Sequence, residues 1–335
     1  MTGLIDRTAE AKAWITQARN ALEHAEVYGR FAESVIWSDA KDNAGTLLVA
    51  IDPEAVAADI NAHPYPLLMG HDPGRPMGKV LAAQVFQSPA GETFIAALLG
   101  IYDSTTILEF GEFGFDPDAE AQGPVYLPDL SPKAWIELHA APNEIDLAWF
   151  DDLVEAAPLP AQLGTRSHNA ADALHALILV GLPYAALVWN PLVTTVATEA
   201  GKDLYVALRA WLKTLLKRLG EHRQPVVEIQ SSYGDCHISF MLRGQGVVRQ
   251  HKAYDALPDA AARAAQVVAK MLDSGLSPIR LVYEFHSTED VWHPSYAELH
   301  DGRLISDNAT LIAVERLPSG LSLGLSLKSI GPPKD

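Results

Sequence analysis

The pattern of apolar and polar positions divides the chain into segments of helical and of strand period. Ala11, Trp14, Ile15, Ala18, Ala21, Leu22 and Ala25 recur at helical spacing, and Val27, Tyr28 and Phe31 extend it. They predict one N-terminal helix or two, placed over residues 1–36. Thr46–Ile51 reads as a short buried strand. Asp52-Pro53-Glu54 then opens a helix through about Ala62, with Asp52 as N-cap and Pro53 at the first helical position. Leu67-Leu68-Met69, Lys79–Gln87 and Glu92–Tyr102 read as strands. Ser88-Pro89-Ala90-Gly91 turns the last two into a hairpin. Periodicity fades over residues 156–172, which carry Pro158, Pro160, Gly164 and Asn169, and a linker is expected there.

Beyond the linker, Ala173–Thr198 contains no Asp, Glu, Lys or Arg. It predicts a buried helical hairpin or a membrane segment. Lys202–Leu219 is amphipathic, with Leu204, Leu208, Trp211, Leu212, Leu215 and Leu219 on one face and Arg209, Lys213 and Lys217 on another. Together, residues 173–222 read as a helical connector. Residues 223–335 read as a small mixed domain. Val226–Gln230, His237–Leu242, Val247–His251 and Ile279–Phe285 are its strands, Pro258–Leu272 its helix, and Asp301-Gly302 its hairpin turn. Residues 310–315 and 321–328 would add closing strands. The fold class is α+β: an N-terminal, mostly β, barrel-like domain over 37–155, a helical connector, and a C-terminal mixed sandwich.

Charge changes this picture in one respect. The chain has 335 residues, 25 Lys and Arg against 42 Asp and Glu, and a net charge of -17. Residues 1–170 carry -16 of it and residues 171–335 only -1. An acidic chain disfavours nucleic-acid binding by bulk electrostatics. The single cysteine, Cys236, excludes a disulfide framework and reads as a buried structural thiol. No secretory signal pattern is visible in residues 1–30, so a cytoplasmic protein is expected, with membrane contact through 173–219 as the alternative.

Candidate chemistry centres on Leu67-Leu68-Met69-Gly70-His71-Asp72, followed by a Pro/Gly turn and Pro76-Met77-Gly78-Lys79-Val80. This strand, His-Asp, turn, Pro-x-Gly-Lys-Val stretch resembles the phage prohead (capsid maturation) proteases over residues 45–118. The resemblance implies a small β-barrel with a serine protease site in which His71 is the general base. The family's Ser-Ile-Gly-Phe-like strand has its counterpart in Glu112-Phe113-Gly114-Phe115, which places Glu112 where the nucleophilic serine belongs. A carboxylate cannot replace a hydroxyl activated by imidazole. The resemblance therefore implies a degenerate, non-catalytic domain acting as an adaptor or effector in a phage-related bacterial system, with a protein partner. The enzymatic alternative is a serine endopeptidase using His71, Ser104 and His139. No phosphate loop, dinucleotide fingerprint or nucleophile elbow is complete, and no cofactor is expected.

His286, His293 and His300 recur every seven residues near Asp290 and Asp301. Imidazole with carboxylate suits zinc or iron. Odd spacing along one strand, however, sends successive residues to opposite faces, with Pro294 intervening, so exposed strand histidines and no metal are expected.

Overall fold

The structure is a computed structural model that describes residues 3–22, 27–41, 44–49, 51–69, 72–114, 119, 121, 123–140, 148–165, 177–192, 194–219, 226–244, 246–286, 288–308 and 312. The chain divides into two compact units. Met1–Ile107 forms the body of the first, and Leu108–Ser167 with Leu174–Asp307 that of the second. Both contain helices and sheet, so the fold is α+β.

The first unit is built from α1 (Gly3–Arg7), α2 (Ala9–Leu22), β1 (Arg30–Ser38), α3 (Pro53–Ala62), β2 (Tyr65–Leu68), β3 (Pro76–Gln87) and β4 (Thr93–Ile101). Its strands form one antiparallel sheet in the order β1-β4-β3-β2. Central β4 is apolar on both faces. Phe94, Ala96 and Leu98 pack against Ile5, Ala11 and Ile15 of α1 and α2. Ile95, Ala97, Leu99 and Ile101 pack with Ala57 and Ile60 of α3. Asp52 caps α3 by accepting from the Glu54 and Ala55 backbone N–H groups at 3.1 and 3.4 Å. Asn61, near the end of α3, donates to the Ala83 carbonyl and accepts from its N–H, both at 2.9 Å. These bonds occupy β3 beyond its pairing with β2, which stops at Val80.

The hairpin of β3 and β4 is the expected one. Its turn closes through Ser88 N–H to the Glu92 carbonyl at 2.8 Å, with Gly91 at φ 87°. Three expectations change. Arg30–Ser38 is a strand rather than the end of an N-terminal helix, since β4 needs a partner on its free side. Of Thr46–Ile51, only Leu47 makes a bridge, to Lys41, and Leu48 is 64% exposed, so the described part of this run is loop. Among the described residues no pairing joins β1 to β2, and the barrel-like sheet is open, with a helical layer on each face.

The second unit contains β5 (Tyr126–Leu127), β6 (Ile136–Ala140), α4 (Ala148–Glu155), β7 (Ala161–Thr165), β8 (Leu177–Gly181), α5 (Tyr184–Val188), β9 (Thr195–Val196), α6 (Glu199–Leu219), β10 (Val226–Tyr233), β11 (Cys236–Arg243), α7 (Val247–Asp273), β12 (Pro278–His286), β13 (Val291–Leu299) and β14 (Leu304–Ile305). Eight strands form a mixed sheet in the order β14-β13-β12-β11-β10-β8-β6-β7. Ile136, Ile178, Val227, Phe240, Leu281 and Trp292 face a core shared with α5, α6 and α7. Thr198 starts α6: its hydroxyl accepts from the Gly201 N–H at 3.0 Å and donates to Asp129. A side chain at Gly201 would place its Cβ 1.8 Å from Asp129 Oδ1, so this junction requires glycine.

The second unit departs from the expected elements in places. Residues 161–165 of the expected linker form edge strand β7. The uncharged run supplies β8, parallel to β10 and inside the sheet, where an all-apolar segment is buried on both faces. Only Tyr184–Val188 of it is helical among the described residues. No helix among the described residues is long and apolar enough to cross a membrane. The helix of 202–219 is α6 as expected. Its Arg209 is engaged within the unit, donating to the Trp189 carbonyl at 3.1 Å and lying 4.6 Å above the Tyr254 ring. Val247–His251 opens α7 instead of forming a strand, and the helix continues through Pro258. The hairpin at Asp301-Gly302 forms as expected, whereas residues 310–315 (apart from Ile312) and 321–328 lie outside the described residues.

Alternation sends Glu228 to the sheet face opposite Val227 and Ile229. Its carboxylate is 1% exposed, and Oε1 accepts from Gln230 Nε2 at 2.6 Å, Ser239 Oγ at 2.9 Å and Arg280 Nη2 at 2.7 Å. Burial alone would lower the Arg280 pKa, but Tyr296, Glu228 and Glu298 outweigh it, and the guanidinium is held firmly protonated.

Two stability outcomes follow from these contacts. In Gly78→Ala the new Cβ falls 2.0 Å from the Gly100 carbonyl oxygen, so β3 and β4 must separate. The urea midpoint should fall by the equivalent of about 1–3 kcal/mol, and an unchanged midpoint would refute the Gly78–Ile101 register. Arg280→Met strands the buried Glu228 carboxylate and should cost about 3–5 kcal/mol, largely recovered when Glu228→Leu is added. If the double variant were no more stable than the single one, the loss would not come from an uncompensated charge.

Candidate functional site

Of the residues of the protease reading, Ser104 belongs to the first unit and Glu112 and His139 to the second. His71 lies outside the described residues. Ser104 occupies an exposed turn of the first unit. Beside it, Asp103 accepts from the Thr105 N–H at 3.0 Å and the Thr105 hydroxyl at 2.8 Å, which hold its carboxyl below the usual range. Glu112 is in a one-turn 3-10 helix, Phe110–Phe113, in the second unit, and not in the strand expected there. His139 is in β6 of the second unit, 7% exposed. Its ring lies over Gly164 of β7, where a Cβ would come within 2.4 Å of it.

A different group of residues forms a cleft of about 540 Å³ on the second unit. It lies at the carboxyl ends of parallel β8 and β10 and the amino end of antiparallel β6. Trp135 and Glu137 of the β6 segment, Pro183 and Tyr184 after β8, Gln230 and Ser232 of β10, and His237 of β11 line it, with Lys133 at the rim. Alternation on β6 turns Leu138 into the core and Glu137 to the other face. Opposite Glu137 stands Gly181, where an added Cβ would meet the Glu137 Cβ at 3.0 Å and Oε2 at 3.5 Å. Glycine keeps the carboxylate accessible.

The polar geometry of the cleft is partly set in advance. The Trp135 indole N–H donates to Glu137 Oε1 at 3.0 Å, and Glu137 Oε2 lies 3.9 Å from His139 Nε2. The Tyr184 hydroxyl donates to the Ala261 carbonyl at 2.8 Å. Burial, then Tyr233 and Tyr283, pushes its pKa well above that of an ordinary phenol, so it stays neutral. The Tyr184 and Tyr233 rings lie 5.0 Å apart. Ser232 Oγ and His237 Nδ1, a cross-strand pair, are 3.2 Å apart.

A serine beside a histidine has half of the arrangement needed for nucleophilic catalysis. The missing half is a group that orients the imidazole. Among the described residues no carboxylate bonds the second ring nitrogen of His237, and both side chains are exposed. Cys236, next to it, is buried as expected, and burial pushes its thiol up to about 12. Among the described residues, no cleft residue belongs to a cluster with metal-ligand spacing. The cleft offers an aromatic wall, a carboxylate and several hydrogen-bonding groups.

Sequence reading did not find Trp135, Glu137 or Tyr184. The available signal is Gly181, a glycine closing the apolar strand β8, which marks the close approach of Glu137. Compared with family models, with curated proteins and with solved structures, the chain matches none.

A fluorophosphonate probe should leave the protein unlabelled. Labelling at Ser104 that disappears in His71→Ala, or at Ser232 that disappears in His237→Ala, would instead establish an active nucleophile.

Proposed function

We propose that this chain is a non-catalytic binding protein that takes a basic side chain of a protein partner into the cleft of its second unit. The observation that carries the proposal is the pairing of Trp135 and Glu137 at 3.0 Å within one open cleft. A lysine or arginine entering there meets a carboxylate that retains acceptor capacity and an indole that can take a cation on its face. Gln230, Ser232 and His237 supply hydrogen bonds for the backbone on either side of it. The net charge of -17 favours encounter with a basic partner. The role extends the adaptor function implied by the resemblance of residues 45–118, with recognition carried by the other unit.

The test is calorimetric titration of the intact protein with a lysine- and arginine-rich peptide and with its acidic counterpart. The basic peptide should bind and the acidic one should not. Trp135→Ala should weaken binding by about three- to thirtyfold, the range of a partly desolvated cation–π contact, and Glu137→Gln should weaken it as well. Equal affinity in parent and variants would reduce the interaction to diffuse charge attraction and overturn the proposal.

A further inference from the structure

On one strand, His286 and His293 would point to opposite faces. They do not. His286 ends β12 and His293 lies in β13, with the hairpin turn between them. In this register His286 pairs with Val291 and Glu284 with His293, so the two histidines are diagonal neighbours on one face. Their ring centroids are 4.8 Å apart, with planes tilted by 50°. Glu289, in the turn, points back to the same place, its Oε2 2.8 Å from His293 Nε2. One ligand atom from each of His286, Glu289 and His293 lies within 4.8 Å of the others.

We propose that the tip of the β12–β13 hairpin binds one divalent ion of the zinc class through these three side chains. Two imidazoles and a carboxylate are borderline ligands that suit Zn²⁺ and Co²⁺. Tetrahedral ligands at about 2.0–2.1 Å from zinc stand roughly 3.4 Å apart. The His293–Glu289 contact therefore opens slightly and the wider separations close by up to about 1.4 Å, within the reach of side-chain torsions.

Two neighbours hold the site in place. Asp290 adopts φ 56°, a left-handed conformation that aspartate tolerates, and its carboxylate pairs with Lys252 of α7 at 2.5 Å. This pair ties the turn to the helix while leaving Glu289 directed at the histidines. Glu284, across from His293, is bound to Arg243 at 3.1 Å, so its charge is already matched. His286 and Glu289 are exposed and His293 is half-buried, so water or a side chain from another molecule can complete the shell. The site is separate from the cleft. His237 pairs with Arg280, six residues before His286, which puts the two at opposite ends of the strands.

The experiment is titration of ZnCl₂ into the chelator-stripped full chain by calorimetry, with CoCl₂ followed by visible absorption. One equivalent should bind, and Co²⁺ should give the d–d bands of a low-coordinate nitrogen and oxygen site. His286→Ala and His293→Ala should each weaken binding by at least about tenfold. Glu289→Gln, in an exposed turn, tests the site without loading the fold and should weaken binding too. His300→Ala, at the far end of β13, should bind as the parent does. Absence of stoichiometric uptake by the parent, or uptake unchanged in Glu289→Gln and His286→Ala, would overturn the proposal.

Discussion

The second unit depends on one buried ion pair, Glu228 with Arg280. Glu228 is enclosed at the middle of an eight-stranded sheet and receives donors from its own strand, from β11 and from β12. An ion so far from water is tolerated only where its partners are already in position. A slip of one residue between β10 and β11 would turn Glu228 into the apolar core occupied by Val227 and Ile229, and would separate it from Ser239. The carboxylate thus works as a register pin. The wider arrangement inherits it, because β10 positions β8, and β8 and β6 position Gly181 beneath Glu137.

Local chemistry made several elements legible from sequence. Asp52-Pro53 determines where α3 starts, Ser88–Gly91 determines the first hairpin, and Asp301-Gly302 determines the last. Each acts through the residues at the site itself. Elements defined by their surroundings were harder to read. β8 is apolar because sheet neighbours bury both of its faces, and over five residues that is indistinguishable from a buried helix. β13 breaks alternation outright. Trp292, Ala297 and Leu299 all face the core because the register shifts by one residue between the Tyr283–Pro294 and Val282–Tyr296 pairs. Pro294 is tolerated where β14 does not reach, since β14 pairs only with Ala297 and Glu298.

The same distinction applies to the two sites. Nothing about Trp135 or Glu137 stands out in sequence. Their meaning comes from strands 40 to 100 residues away, which supply Gly181, Gln230 and His237. The histidines are visible in sequence, but the turn that brings His286 and His293 to one face is a property of the β12–β13 register. The sequence offers His139 only as a candidate for catalysis. What the structure adds is the reason for glycine at 164: the imidazole needs a neighbour with no side chain.

Strand β4, with its two apolar faces, also has a consequence for biosynthesis. Both layers that cover it, α1 with α2 on one side and α3 on the other, precede it in the chain. During vectorial synthesis from the N-terminus, the β3–β4 hairpin therefore leaves the ribosome after its two covers have been made. A segment that would otherwise expose nine consecutive mostly buried residues can be enclosed as it appears. Permuting the chain so that the hairpin came first would lose this protection, and the nascent protein would then depend on chaperones to keep that strand from pairing with its own copies.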